Sequence, residues 1–268
     1  IDNWHKIVGV MSDMLLSLIS PLNNHSRCSG VRLEDIKHAP YQIMPRVAEC
    51  MGAKDHPELY KSRFCGLDYW GPTSIETGKI IWSTKWSVSY DNNIAQPIVI
   101  DQNHVFVSSG YGKGCGLIEI TENKGEYTAQ LLWENKNLKN KFTSSVLYQD
   151  HIYGLDDSGS DNAAHLVCLK ARTGETIWRG DNYGHGQLLL AQNQLVIQCE
   201  NGDVAMVKAT PESHQLLDRF PVLKGKTWNN PALAGGRLYV RNDQEMVCID
   251  ISEQTNLNKS LVFFYLKY

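Results

Sequence analysis

The side chains best suited to chemistry are spread along this chain. Asp156-Asp157, followed by Asp161 and Asn162, makes an oxygen-rich run of the kind that ligates a hard cation such as Ca²⁺. Its spacing does not match the EF-hand loop, and a solvated loop between strands accounts for the same residues. Ser144, Ser145, Asp150 and His151 are hydrolase residue types, but there is no Gly-x-Ser-x-Gly elbow and they fall on a hairpin. Gly110-Tyr-Gly-Lys-Gly-Cys-Gly116 has the glycine content of a phosphate cradle. It stands between two strands, so the helix N-terminus that binds an anion is absent and a wide turn is expected. Of the seven cysteines, none forms a Cys-x-x-Cys pair. Cys168, Cys199 and Cys248 lie in apolar runs and are expected to pack as small hydrophobes. Cys28, Cys50, Cys65, His25, His38 and His56 show no ligand spacing. A different set offers aromatic and cationic groups for a partner: Tyr90, Asp91, Asn93, Lys141, Phe142, Tyr183, His185 and Trp228.

What positions these residues is a repeat. Ala171-Arg-Thr-Gly-Glu-Thr-Ile-Trp178 reads as a strand end, a tight turn at Thr173-Gly174 and a new strand closing on a large aromatic. The same unit stands earlier as Glu76-Thr-Gly-Lys-Ile-Ile-Trp82, around Gly78, and a worn copy runs from Ala209 to Phe220. The closing aromatics Trp82, Trp133, Trp178 and Phe220 are 51, 45 and 42 residues apart. A strand-built period of roughly 40–50 residues marks a β-propeller. Strands are predicted over 80–88, then in three full sets across 96–134, 144–179 and 187–220. A fourth set, 231–234, 237–241 and 246–251, lacks its outer strand. Two alternatives stand for that gap: strand 80–88 fills it and closes a small ring, or blades are missing from the sequence. The expected fold is all-β, an open or truncated propeller of about four blades. The blade loops ending just before each first strand converge on one face, where they would suit a peptide or carbohydrate. For Tyr183 and Trp228, packing between blades is an equal alternative.

Residues 1–70 show no repeat. They hold a helix-spaced stretch at 8–19 and a second short one at 33–51, broken by Pro40 and Pro45. The expected division is therefore 1–70, a repeat domain over 71–252, and a tail over 253–268. The 268 residues carry a net charge of −3, which excludes the basic field of a general nucleic-acid or anionic-membrane binder. No apolar run is long enough for a transmembrane helix, and no signal peptide is read. A chain opening on Ile reads as a fragment or a processed product.

The unit Leu166 to Trp178, of the form Leu-x-x-Leu-x-Ala-x-Thr-Gly-x-x-x-Trp, resembles the repeat of pyrroloquinoline-quinone-type (PQQ-like) propellers. The likeness extends over about 76–252. Tyr183-Gly-His-Gly-Gln and Gly225-Lys-Thr-Trp-Asn-Asn-Pro resemble BamB-like repeat proteins, similar to a lipoprotein of the outer-membrane assembly machinery. The resemblance implies blade docking through Gly78, Trp82, Trp133, Ala171, Gly174, Trp178 and Phe220. It further implies a noncatalytic module for protein partners, without a cofactor, in a periplasmic or otherwise exported location. The alternative it carries is a quinoprotein dehydrogenase with PQQ and Ca²⁺; such enzymes often hold a vicinal Cys-Cys pair, which this sequence lacks.

Overall fold

The computed structural model describes residues 63–66, 69–72, 74, 77, 79–89, 92–160, 163–251 and 266–267. The stretches expected as helices at 8–19 and 33–51, and Gly78, Tyr90, Asp91, Asp161 and Asn162, lie outside the described residues. The chain divides into two compact units, 1–85 and 86–268.

In the first unit, β1 (Arg63–Gly66), β2 (Tyr69–Pro72) and β3 (Thr84–Lys85) form an antiparallel sheet in that order. The lone outer strand predicted over 80–88 is corrected here. Only Thr84 and Lys85 pair as a strand, against Trp70 and Tyr69, so this segment does not complete the last blade. The two strands before it, Arg-Phe-Cys-Gly and Tyr-Trp-Gly-Pro, are too short and too broken by Gly and Pro to show alternation.

The second unit holds four four-stranded antiparallel sheets, each a meander in chain order. The first is β4 (Ile98–Val99), β5 (His104–Ser109), β6 (Gly114–Asn123) and β7 (Glu126–Asn135). The second is β8 (Val146–Tyr148), β9 (His151–Asp157), β10 (Ala164–Lys170) and β11 (Thr176–Asn182). The third is β12 (Gln187–Ala191), β13 (Gln194–Gln198), β14 (Asp203–Lys208) and β15 (Leu216–Pro221). The fourth is β16 (Ala232–Ala234), β17 (Arg237–Arg241), β18 (Glu245–Asp250) and β19 (Leu266–Lys267). Its outer strand, expected to be missing, comes from the tail: Leu266 and Lys267 pair with Met246 and Glu245. A two-residue strand across a long connection leaves no periodic trace in sequence.

Central strands β9 and β13 are buried along almost their whole length, because the second and third sheets are each covered on both faces by a neighbour. Outer strands β7 and β15 alternate instead between exposed and half-buried positions. One apolar cluster, around Phe106, Leu117, Ile152 and Leu169, joins the first sheet to the second. Another, around Tyr153, Leu166, Leu195 and Val207, joins the second to the third, and Val196, Leu238, Val240 and Ile249 join the third to the fourth. Among the described residues no such cluster links the fourth sheet back to the first. Cys115, Cys168 and Cys199 are fully buried in these layers, and burial pushes their thiols up to about 12, 11 and 12, so they act as apolar atoms rather than nucleophiles.

The closing aromatics tie one sheet to the next. Trp133 Nε1 donates to the Arg172 carbonyl at 2.7 Å, and Trp178 Nε1 donates to the Thr210 carbonyl at 3.0 Å. The acceptor each time lies in the turn between the third and fourth strands of the following sheet. Gly174 has φ +66° there, and a Cβ on it would fall 2.4 Å from the Trp133 ring. Glycine thus serves both the turn and the indole. Ala171 is fully buried beside it, while Phe220 packs on the third joint with no N–H to donate. Beside the Trp133 contact, Arg172 pairs with Asp101 in the β4–β5 turn of the preceding sheet.

Two predictions follow from these joints. Trp178→Phe, which keeps the ring and deletes the donor, should lower unfolding free energy by about 1 kcal/mol, and Trp178→Ala by about 3–5 kcal/mol, in urea titration. The second concerns acid. Burial opposes ionisation of Asp101, but the backbone N–H of Asn103, the His104 ring and the Arg172 guanidinium outweigh it and hold the carboxyl at about 2, below its usual 3.8. The unfolded chain therefore binds the proton more readily, so this stabilisation is present above about pH 4 and is lost as pH falls toward 2. Asp101→Asn should flatten that part of the acid-unfolding curve relative to wild type.

Candidate functional site

In an antiparallel meander, alternate connections emerge at the same end of the sheet. The turn between second and third strands therefore shares an end with the connection from each outer strand to the next inner strand. Lys141 and Phe142 lie in the β7–β8 connection, His185 in the β11–β12 connection, and Lys226 and Trp228 in the β15–β16 connection. Asp157 closes β9 and Glu200 sits in the β13–β14 turn, so all converge at that end.

Their side chains alternate between basic and acidic types. Lys141 Nζ lies 3.9 Å from Asp157 Oδ2, and His185 Nε2 lies 3.2 Å from Asp157 Oδ1. On the other side of the ring, His185 Nδ1 is 3.5 Å from Glu200 Oε2, and Lys226 Nζ is 4.0 Å from Glu200 Oε1. The middle three are buried, with side-chain exposures of 4% for Asp157, 6% for His185 and 8% for Glu200. Glu200 is held further: its Oε2 accepts the His185 backbone N–H at 2.9 Å, and its Oε1 accepts Trp228 Nε1–H at 2.9 Å. The close approach of Glu200 requires Gly184, at φ +66°, where an added Cβ would stand 2.6 Å from the Glu200 Cβ.

Above this buried line lies an aromatic shelf. The Phe142 ring is 5.1 Å from Trp228 and 5.8 Å, edge on, from His185. Lys226 Nζ sits 3.8 Å from the Trp228 ring centre, and Lys141 Nζ 5.4 Å from both Tyr111 and Phe142. Trp228 nevertheless stays 43% exposed. Next to the shelf, and sharing Glu200 and Lys226 with it, is a cavity of about 440 Å³ that also involves Tyr183 and Arg219.

The structure thus brings Lys141, Phe142, His185 and Trp228 together. Tyr183 is 2% exposed and packs in the core between the second and third sheets, while Trp228 faces outward, so the two alternatives divide between them. Asn93 belongs to another network, accepting from Ser109 Oγ at 2.8 Å and donating to the Trp86 carbonyl at 3.4 Å, with Trp86 fully buried. Sequence reasoning missed Glu200, Lys226, Arg219 and Trp86. A lone carboxylate in a Cys-Glu-Asn-Gly turn looks like any solvated turn residue, and nothing local shows that three other loops fold over it.

Asp156 and Asp157, the described part of the oxygen-rich run, are already engaged by cationic side chains rather than left open to a Ca²⁺ ion. Asp156, 2% exposed, is bound by Lys139 and Arg179 at 2.6 Å each, and Asp157 is engaged by His185 and Lys141. The expectation of a solvated loop is also corrected for these two residues, which β9 carries inward against Lys139 and Lys141 from the β7–β8 connection and Arg179 from β11. The Gly110–Gly116 stretch runs into β6, where a Cβ on Gly114 would meet the Asn135 carbonyl at 2.0 Å; its glycine permits close strand contact. Among the described residues the polar partners of His185 are the carboxylates of Asp157 and Glu200, neither a hydroxyl nor a thiol that it could activate.

The family described as outer membrane protein assembly factor BamB matches residues 73–180. Over that stretch the chain resembles a PQQ-like, BamB-like repeat, and its four meander sheets have the form of propeller blades. Among solved structures, BamB from Moraxella catarrhalis is 14% identical, with 66% of this chain and 64% of that one covered and a TM-score of 0.38. The β-propeller domain of Cps50 (Swd1) from Myceliophteria thermophila is 16% identical over 76% of this chain and 67% of its own, with a TM-score of 0.51. At such identity the second likeness shows the propeller fold alone. The chain spans 64% of the length of the Moraxella BamB. No curated protein matches it.

Glu200 is the group on which the shelf rests. Glu200→Ala should strand the His185 N–H and free the Trp228 ring, lowering stability by about 2–3 kcal/mol. Glu200→Gln, which keeps one acceptor, should lose less, as read by thermal unfolding with tryptophan emission.

Proposed function

We propose that this chain is a noncatalytic propeller module, working without a cofactor, that docks a protein partner on the shelf formed by Phe142, Trp228, Lys141 and Lys226. One observation carries this reading: Trp228 is 43% exposed although its N–H is bound to a buried carboxylate and its ring is bracketed by Phe142 and Lys226. An aromatic already fixed in one orientation loses little entropy on binding, and such residues dominate interface energetics. The engagement of Asp156 and Asp157 by cations, and the lack of a nucleophile on His185, favour binding over catalysis. The BamB-like repeat favours a partner within outer-membrane protein assembly, and with it a periplasmic or otherwise exported location.

A photo-crosslinking residue at position 228 should give a discrete protein adduct in cells, whereas the same residue at Leu132, 44% exposed on an outer strand, should not. Trp228→Ala should reduce the recovery of that partner at least tenfold, about 1.4 kcal/mol, in line with a hot-spot aromatic. Equal adducts from both positions, or undiminished recovery, would remove the shelf as the docking surface.

A further inference from the structure

The cavity beside the shelf has a built wall that the docking reading leaves unused. Arg219, on β15, is oriented by two neighbours: its Nε donates to Asp203 Oδ2 at 2.9 Å, and its guanidinium carbon lies 5.7 Å from the Tyr183 ring. Asp203 is fixed in turn by Asn201, whose Nδ2 donates to the same oxygen at 2.9 Å. The Asp203 contact uses only the Nε edge, which leaves the paired terminal nitrogens for a planar, two-oxygen acceptor. Lys226, on the same cavity, supplies a second, 59% exposed cation that also lies over the Trp228 ring. Glu200, the carboxylate lining the cavity, accepts from the His185 backbone and from Trp228 and lies 4.0 Å from Lys226, so Arg219 is the cation that leads recognition. A volume of about 440 Å³ admits a side chain with its flanking backbone.

We infer that the cavity bounded by Arg219 and Lys226 takes a carboxylate side chain from the partner's peptide, next to an apolar residue seated on the Phe142–Trp228 shelf. This rests on the docking reading and names its partner chemistry: a segment in which Asp or Glu adjoins a large apolar residue. The fork-shaped guanidinium supplies geometric selection, the ammonium adds charge, and the shared Lys226 couples the two subsites.

The test uses the full chain and fluorescein-labelled, amidated octapeptides with a Leu-Glu or Phe-Glu core, their Gln counterparts, and a free-acid peptide whose only carboxylate is terminal. Fluorescence anisotropy should show the Glu peptides binding at least tenfold tighter than the Gln ones. Arg219→Gln should abolish that preference, and Lys226→Gln should reduce it. Trp228→Ala should weaken Glu and Gln peptides alike. Equal binding of Glu and Gln peptides, or a preference that survives both cation variants, overturns the carboxylate pocket while leaving the shelf standing. Preference for the free-acid peptide overturns the side-chain assignment. Absence of binding by every peptide also overturns the inference, and the crosslink at position 228 then decides the docking reading by itself.

Discussion

The structure depends on one repeated contact, an indole N–H given to a carbonyl in the neighbouring sheet's turn. Each sheet here is thin, and its central strands are too apolar to face water. Stacking sheets solves that problem but specifies register only loosely, since the hydrophobic effect is non-directional. The Trp133–Arg172 and Trp178–Thr210 bonds fix the register, because a hydrogen bond is satisfied at one offset only. Gly174 lets the first of these form, since any side chain there would collide with the ring it receives.

Once the sheets are registered at one end, the connections at the other end are placed as well. Lys141, His185, Glu200 and Trp228 come from different segments, and none is near another in sequence. They meet because strand direction alternates and because consecutive sheets are held at a fixed offset. The buried charges then reinforce that placement. Asp157 and Glu200, each nearly excluded from water, hold the His185 and Trp228 connections against the strands that carry them.

Much of the fold was legible in the sequence, and little of the site was. The Thr-Gly turn, the spacing of Trp82, Trp133, Trp178 and Phe220, and the apolar density of the central strands announced a stack of sheets. Those signals are local and periodic. The final strand, Leu266–Lys267, was invisible because two residues carry no period, and Arg63–Pro72 was invisible because glycine and proline interrupt it. Loop position alone pointed to Lys141, Phe142, His185 and Trp228. It could not reveal that His185 is buried or that Glu200 organises the group, since both facts arise from contacts between distant segments. Asp156 and Asp157 misled for the same reason: their cations arrive from other segments.

Phe220 pairs with Val204, two residues further along its strand than the level at which Trp133 and Trp178 stand, where Asp218 takes the place of the indole. The joint with the last sheet has polar ties at this end, where Gln198 Nε2 reaches the Arg241 carbonyl at 2.9 Å and the Thr227 N–H reaches the Glu200 carbonyl at 2.8 Å. The terminal sheet is thus anchored through backbone groups at the end from which the loop displaying Trp228 emerges.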